Sequence, residues 1–226
     1  MRLSKMVLFV TVAGLMAVPA AAQFGRGGGG FGGPGALLGN PGVQKELKLT
    51  EDQIKKFQDF NQKLQPKRQE AGEAFRNQDQ EKAREIQKEI ATETEKFMKE
   101  TLSADQQKRL KQIQRYNMGP NAFADEEVAK ELKLTDEQKE DIKKITEELG
   151  AQSKEAFTGV DFQDQEAMQA VRKKVQGIRK EATEKITKML TPDQKKAWKD
   201  MTGEPFEVQF GPGRGGFGKG KKKDQE

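Results

Sequence analysis

Leu49-Thr50-Glu51-Asp52-Gln53 is the first of four closely similar stretches in this chain. The others are Leu102-Ser103-Ala104-Asp105-Gln106, Leu134-Thr135-Asp136-Glu137-Gln138 and Leu190-Thr191-Pro192-Asp193-Gln194. Each reads as the start of a helix. The hydroxyl of Thr50, Ser103, Thr135 or Thr191 accepts from an orphan N–H of the first turn, and the glutamine three residues on reaches back to the cap's own N–H. Acidic residues fill the first turn, where the helix dipole favours them, and Pro192 sits where its missing N–H is harmless. A chain that starts helices this way four times is held to an all-α fold. The leucine before each cap anchors the incoming chain, with a full staple, Leu49 against Ile54, readable only in the first copy.

The four copies are ordered two to each half. Val43-x-Lys45-Glu46-Leu47-Lys48-Leu49-Thr50-x-x-Gln53 recurs from Val128 to Gln138, with eight of eleven positions identical at an offset of 85 residues. Such self-similarity is the mark of internal duplication. In the first half Ile54, Phe57, Phe60 and Leu64 lie at helical spacing, and Ala71 and Phe75 continue the stripe past Pro66, which predicts a helix bent at the proline. After a turn near Asn77–Gln80, a second stripe runs through Ala83, Ile86, Ile90, Thr94 and Phe97 and suits antiparallel packing. A shorter helix carries Leu110 and Ile113 and ends before Gly119-Pro120. In the second half Ile142, Ile145, Leu149 and Ala156 form one stripe, and Met168, Val171, Val175, Ile178, Ala182, Ile186 and Met189 form the next. Trp198 and Met201 mark the closing helix, at an offset of 88 from Leu110 and Ile113. The expected division is a helical repeat over 43–118, a linker over 119–127 and a second repeat over 128–202.

The rest of the composition narrows the function. Apolar residues make up 33% of the chain and charged residues 34%, too little apolar surface for one thick core, so each helix is expected to bury one narrow stripe. With no Cys and no His, a thiol nucleophile, a Ser-His-Asp triad and the usual zinc sites are excluded. Carboxylates are plentiful but lie among Lys and Gln on polar faces, in no constellation that acid–base chemistry needs. The reading is therefore a non-enzyme with no catalytic residues, no cofactor and no metal. The formal charge of +5 does not by itself call for a polyanionic partner.

The two ends read differently from the middle. Residues 1–22 have the layout of a secretory signal: Arg2 and Lys5, an apolar run from Met6 to Val18, and Ala20-Ala21-Ala22 as the cleavage site. The expectation is a protein of the periplasm or the exterior, cut after Ala22. Residues 23–42 are glycine-rich and read as a flexible arm, and 203–226 as a flexible Gly- and Lys-rich tail with isolated Phe206, Phe210 and Phe217. Export argues against nucleic acid as the partner of Arg26 and its glycines. The run Lys219–Lys223 leaves a weak contact with an anionic membrane surface open.

These motifs, in a chain without His or Cys that begins with an export signal, resemble the Spy/CpxP family of periplasmic proteins. That family places one Leu-Thr-x-x-Gln motif before a long helical hairpin and one before a short closing helix. Leu49, Thr50 and Gln53 with Leu102, Ser103 and Gln106 fit those two places in the first half. Leu134, Thr135 and Gln138 with Leu190, Thr191 and Gln194 fit them in the second. The resemblance covers about Val43 to Met201 and implies two tandem Spy-like repeats in a thin, elongated assembly. It also implies an ATP-independent chaperone that holds unfolded clients on an exposed helical surface. In the family two protomers form a curved cradle, so this chain would make a pseudo-dimer within one molecule or a homodimer. Some relatives bind zinc, and the lack of His departs from that branch. Arg68, Arg76, Arg84, Arg172 and Arg179 on the long helices are the candidate client contacts. Two other readings stay open: an envelope-stress regulator that binds a membrane sensor domain, and a passive structural protein of the envelope.

Overall fold

The computed structural model describes residues 33–208. The signal segment 1–22, the first part of the glycine-rich arm and the tail with Phe210, Phe217 and Lys219–Lys223 lie outside them. The described residues are all-α. Two short helices, α1 (Pro34–Leu38) and α2 (Pro41–Glu46), lead into α3 (Glu51–Arg76), α4 (Gln80–Thr101) and α5 (Ala104–Met118). A 3-10 segment (Gly119–Ala124) then leads into α6 (Glu126–Glu131), α7 (Asp136–Ala156), α8 (Gln165–Met189) and α9 (Pro192–Thr202).

All four motifs start helices with both arms of the capping box formed, on Thr50, Ser103, Thr135 and Thr191. Ahead of α3 and α7 the chain stops one helix in order to begin the next. Lys48 and Lys133 both adopt φ of 51°, and the Leu49 and Leu134 amides reach back to the carbonyls of Gln44 and Ala129. This is a Schellman stop with lysine in the left-handed position that glycine usually takes.

α3 packs along α4 and α7 along α8. α3 runs unbroken through Pro66, whose ring nitrogen has no proton for the Gln62 carbonyl. Each long helix buries one stripe: Phe57, Leu64, Ala71 and Ala74 on α3, and Ala83, Ile86 and Thr94 on α4. α7 buries Ile142, Leu149 and Ala156, and α8 buries Val171, Ala182 and Ile186. At the end of α3 the expected stripe departs by one residue. Ala74 is buried and Phe75 is 71% exposed. The Ala74 carbonyl accepts the Asp79 amide in the hairpin turn, and Gln78 there has φ of 61°. The small side chain faces the closely approaching chain and the ring is turned out.

Two separate apolar cores result. The first gathers Leu37, Leu38, Val43, Leu47, Phe57, Leu102, Leu110, Ile113 and Val208. The second gathers Phe123, Val128, Leu132, Leu134, Ile142, Ile186, Leu190 and Met201. Three expectations are corrected by their membership. The arm does not extend to Gly42: from Pro34 it is helical, and Leu37 and Leu38 are 0% and 1% exposed. Residues 119–127 are not a linker. The 3-10 segment packs against α5, α6, α7 and α8, and Phe123, 2% exposed, sets its ring on Trp198 at 4.1 Å. The tail is likewise packed as far as Val208, and Phe206 lies against the first core. In each case a few large apolar side chains outweigh the glycines and prolines around them, because burying one contributes about 1.5–3 kcal/mol.

Candidate functional site

The paired motifs of each half meet. Gln53 Nε2 donates to the Thr101 carbonyl at 2.8 Å and to Gln106 Oε1 at 2.9 Å. Gln106 Nε2 donates to the Leu47 carbonyl at 3.2 Å and back to Gln53 Oε1 at 3.2 Å. Each Oε1 also accepts its own cap's amide, from Thr50 and Ser103 respectively, at 3.0 Å. In the second half Gln138 donates to the Met189 carbonyl and to Gln194, and Gln194 donates to the Lys133 carbonyl and to Gln138. Every donor and acceptor of each primary amide is thus engaged. A glutamate would serve the local capping box as well but has no proton to donate across. The motif therefore locks the start of the hairpin to the start of the closing helix. Leu102, Leu134 and Leu190 are buried beneath the locks at 6%, 6% and 3% exposure, while Leu49 is half-buried beside the first core.

The five arginines divide. Arg68, Arg76, Arg84 and Arg172 lie exposed on the long helices, Arg68 donating to Asn61 Oδ1 at 2.9 Å. Arg179, half-buried, stands apart from these four. Its guanidinium donates to the Asn117 and Met118 carbonyls at 2.8 and 3.2 Å, and burial pulls its pKa below the ordinary arginine value. It holds the last carbonyls of α5, where a cation suits the helix dipole.

The halves meet where α5 packs on α9. Gln112 Nε2 donates to the Asp200 carbonyl at 2.9 Å, across the offset of 88 that relates the two helices. Arg115, buried, pairs with Glu127 at 3.4 Å and with Glu131 at 3.3 Å. Lys111 also pairs with Glu127, and that ammonium holds the Glu127 carboxyl below the usual carboxylate range. A hollow of about 230 Å³ at this junction is lined by Lys108, Lys111, Gln112, Arg115, Glu131, Asp200 and Met201.

Sequence reasoning did not single out Asn117, Arg109 or the segment after Gly203. Asn117, buried, donates from Nδ2 to the Phe206 carbonyl at 2.8 Å and accepts the Val208 amide on Oδ1 at 3.0 Å. Arg109 donates to the Glu204 carbonyl at 3.0 Å and to Glu46 Oε1. The alternation of Phe206, Glu207 and Val208 was a readable signal for a packed extended segment.

At the far end of the α3–α4 hairpin stands exposed Phe75. At the far end of the α7–α8 hairpin Phe162 is 69% exposed and stacks on Phe157 at 6.4 Å. Among the described residues no group of three or more carboxylates is placed to hold a metal ion, and no helix is long and apolar enough to cross a membrane. No family model, no curated protein and no solved structure matches the chain.

Proposed function

We propose that this protein is an exported, ATP-independent chaperone that holds unfolded proteins on the outer faces of two tandem Spy-like helical hairpins. The observation that carries the reading is the division into two small cores, each beneath a hairpin that buries a single stripe. Such hairpins keep most of their length in water, with long cationic stems and isolated aromatic rings, a surface suited to weak and varied contacts with unfolded chains. Phe75 and Phe162 add exposed apolar points at the hairpin ends, and Arg68, Arg76, Arg84 and Arg172 supply charge along the helices. The pairing of α5 with α9 across corresponding residues supports a pseudo-dimer within one chain.

Dilution of a denatured client into the purified mature chain, followed by light scattering, tests the reading. Aggregation is suppressed at stoichiometric ratios without nucleotide, and Phe75→Ser with Phe162→Ser weakens the suppression. No suppression at any ratio, or selective binding of one folded partner, would set the proposal aside.

A further inference from the structure

The segment from Gly203 to Val208 is bound across the first half much as a peptide ligand is bound. Gly203 makes the turn out of α9 with φ of 60°, and a Cβ there would come within 2.6 Å of Gln112. The next residues are not helical. Their main chain is gripped at three points: the Glu204 carbonyl by Arg109, the Phe206 carbonyl by Asn117 Nδ2, and the Val208 amide by Asn117 Oδ1. Their side chains alternate. Phe206, half-buried, lies against the first core beside Gly42, Glu207 is exposed, and Val208 is 8% exposed inside the core. One amide side chain pairing with main-chain atoms two residues apart, above pockets for alternate residues, is how an extended peptide is read.

We infer that this groove, floored by α2 and α5 and centred on Asn117, is a binding site for extended apolar peptide segments, occupied in cis by the chain's own strap. The recognised chemistry is a bulky apolar residue at i and another at i+2. All three polar contacts fall on main-chain atoms, so the side chain between is unread. A segment of this kind is what an unfolded client exposes, and for that partner class the inference rests on the chaperone reading. The strap is tethered beside the groove and competes at the high effective concentration of an intramolecular ligand.

A fluorescein-labelled peptide with the Glu204–Val208 sequence is titrated into the full chain and into Phe206→Ala/Val208→Ala, with anisotropy as the readout. The double variant binds at least about tenfold more tightly, because the tethered competitor no longer fills the groove. Alanine at both apolar positions of the peptide, or Asn117→Ala added to the protein, removes the gain. Equal affinity of the two proteins, or a gain that survives the alanine peptide, overturns the inference. Hydrogen exchange on the unmutated chain needs no altered protein: excess peptide speeds exchange of the Val208 amide, and unchanged exchange overturns the inference too. Peptide binding without suppression of client aggregation would remove the chaperone reading and leave the groove. Suppression without peptide binding would do the reverse.

Discussion

The glutamine of each motif separates local chemistry from tertiary chemistry. A helix start tolerates glutamate in its place, since the carboxylate accepts the cap's amide and meets the positive end of the dipole. In the folded chain Gln53→Glu would leave the Thr101 carbonyl and Gln106 Oε1 without their donor. The expected loss is about 1–3 kcal/mol, larger than the roughly 1 kcal/mol of Thr50→Ala, which removes only the cap. Urea unfolding of the two variants checks the order, and a neutral Gln53→Glu would mean that the lock contributes nothing. The caps themselves were readable from four short stretches. Their pairing was not, because it depends on where the carbonyl of residue 101 arrives after two long helices.

Among the elements, the 3-10 segment has the greatest effect for its length. Phe123 joins α6, α7 and α8 in the second core and carries the ring of Trp198, the only tryptophan in the chain. Phe123→Ala removes a fully buried ring and is expected to cost about 3–5 kcal/mol. Trp198 fluorescence reports the change directly, and the midpoint of the urea transition should fall. Residues 119–127 read as a linker because Gly119, Pro120 and Asn121 are turn formers. Yet Ala122 and Phe123 stand 85 residues after Leu37 and Leu38, the spacing that relates Val128 to Val43, and Asp125 caps α6 as Asn40 caps α2. That correspondence was present in the sequence, masked by glycine and proline.

For the whole molecule, the absence of histidine fixes the shape of the pH response. Glu95 and Glu127 are held below the usual carboxylate range by Lys99 and Lys111. Their contribution is complete above their unfolded value of 4.5 and is lost as pH falls through the lower folded values. Lys67, Lys82 and Lys144 are pushed up by the hydrogen bonds they donate to the carboxylates of Glu89, Glu70 and Asp141. Their contribution is present below 10.5 and is lost as pH rises through the higher folded values. These pairs are exposed, so each effect is small. Urea midpoints should be level between about pH 6 and 9 and fall on either side. A step near pH 6.5, the ordinary histidine value, would contradict this account.

Helix starts, helix lengths and the buried stripes follow from spacing along the chain, since capping and amphipathic burial act within a few turns. The sequence alone therefore determined the all-α character of the described residues. Tertiary structure decided the rest: the glutamine locks, Arg179 turned to the end of α5, and residues 34–42 and 203–208 drawn into the first core. The hydrogen bonds of the locks, of Arg179 and of residues 203–208 join residues separated by 48 to 95 positions, and whether they form depends on the path of the helices between them.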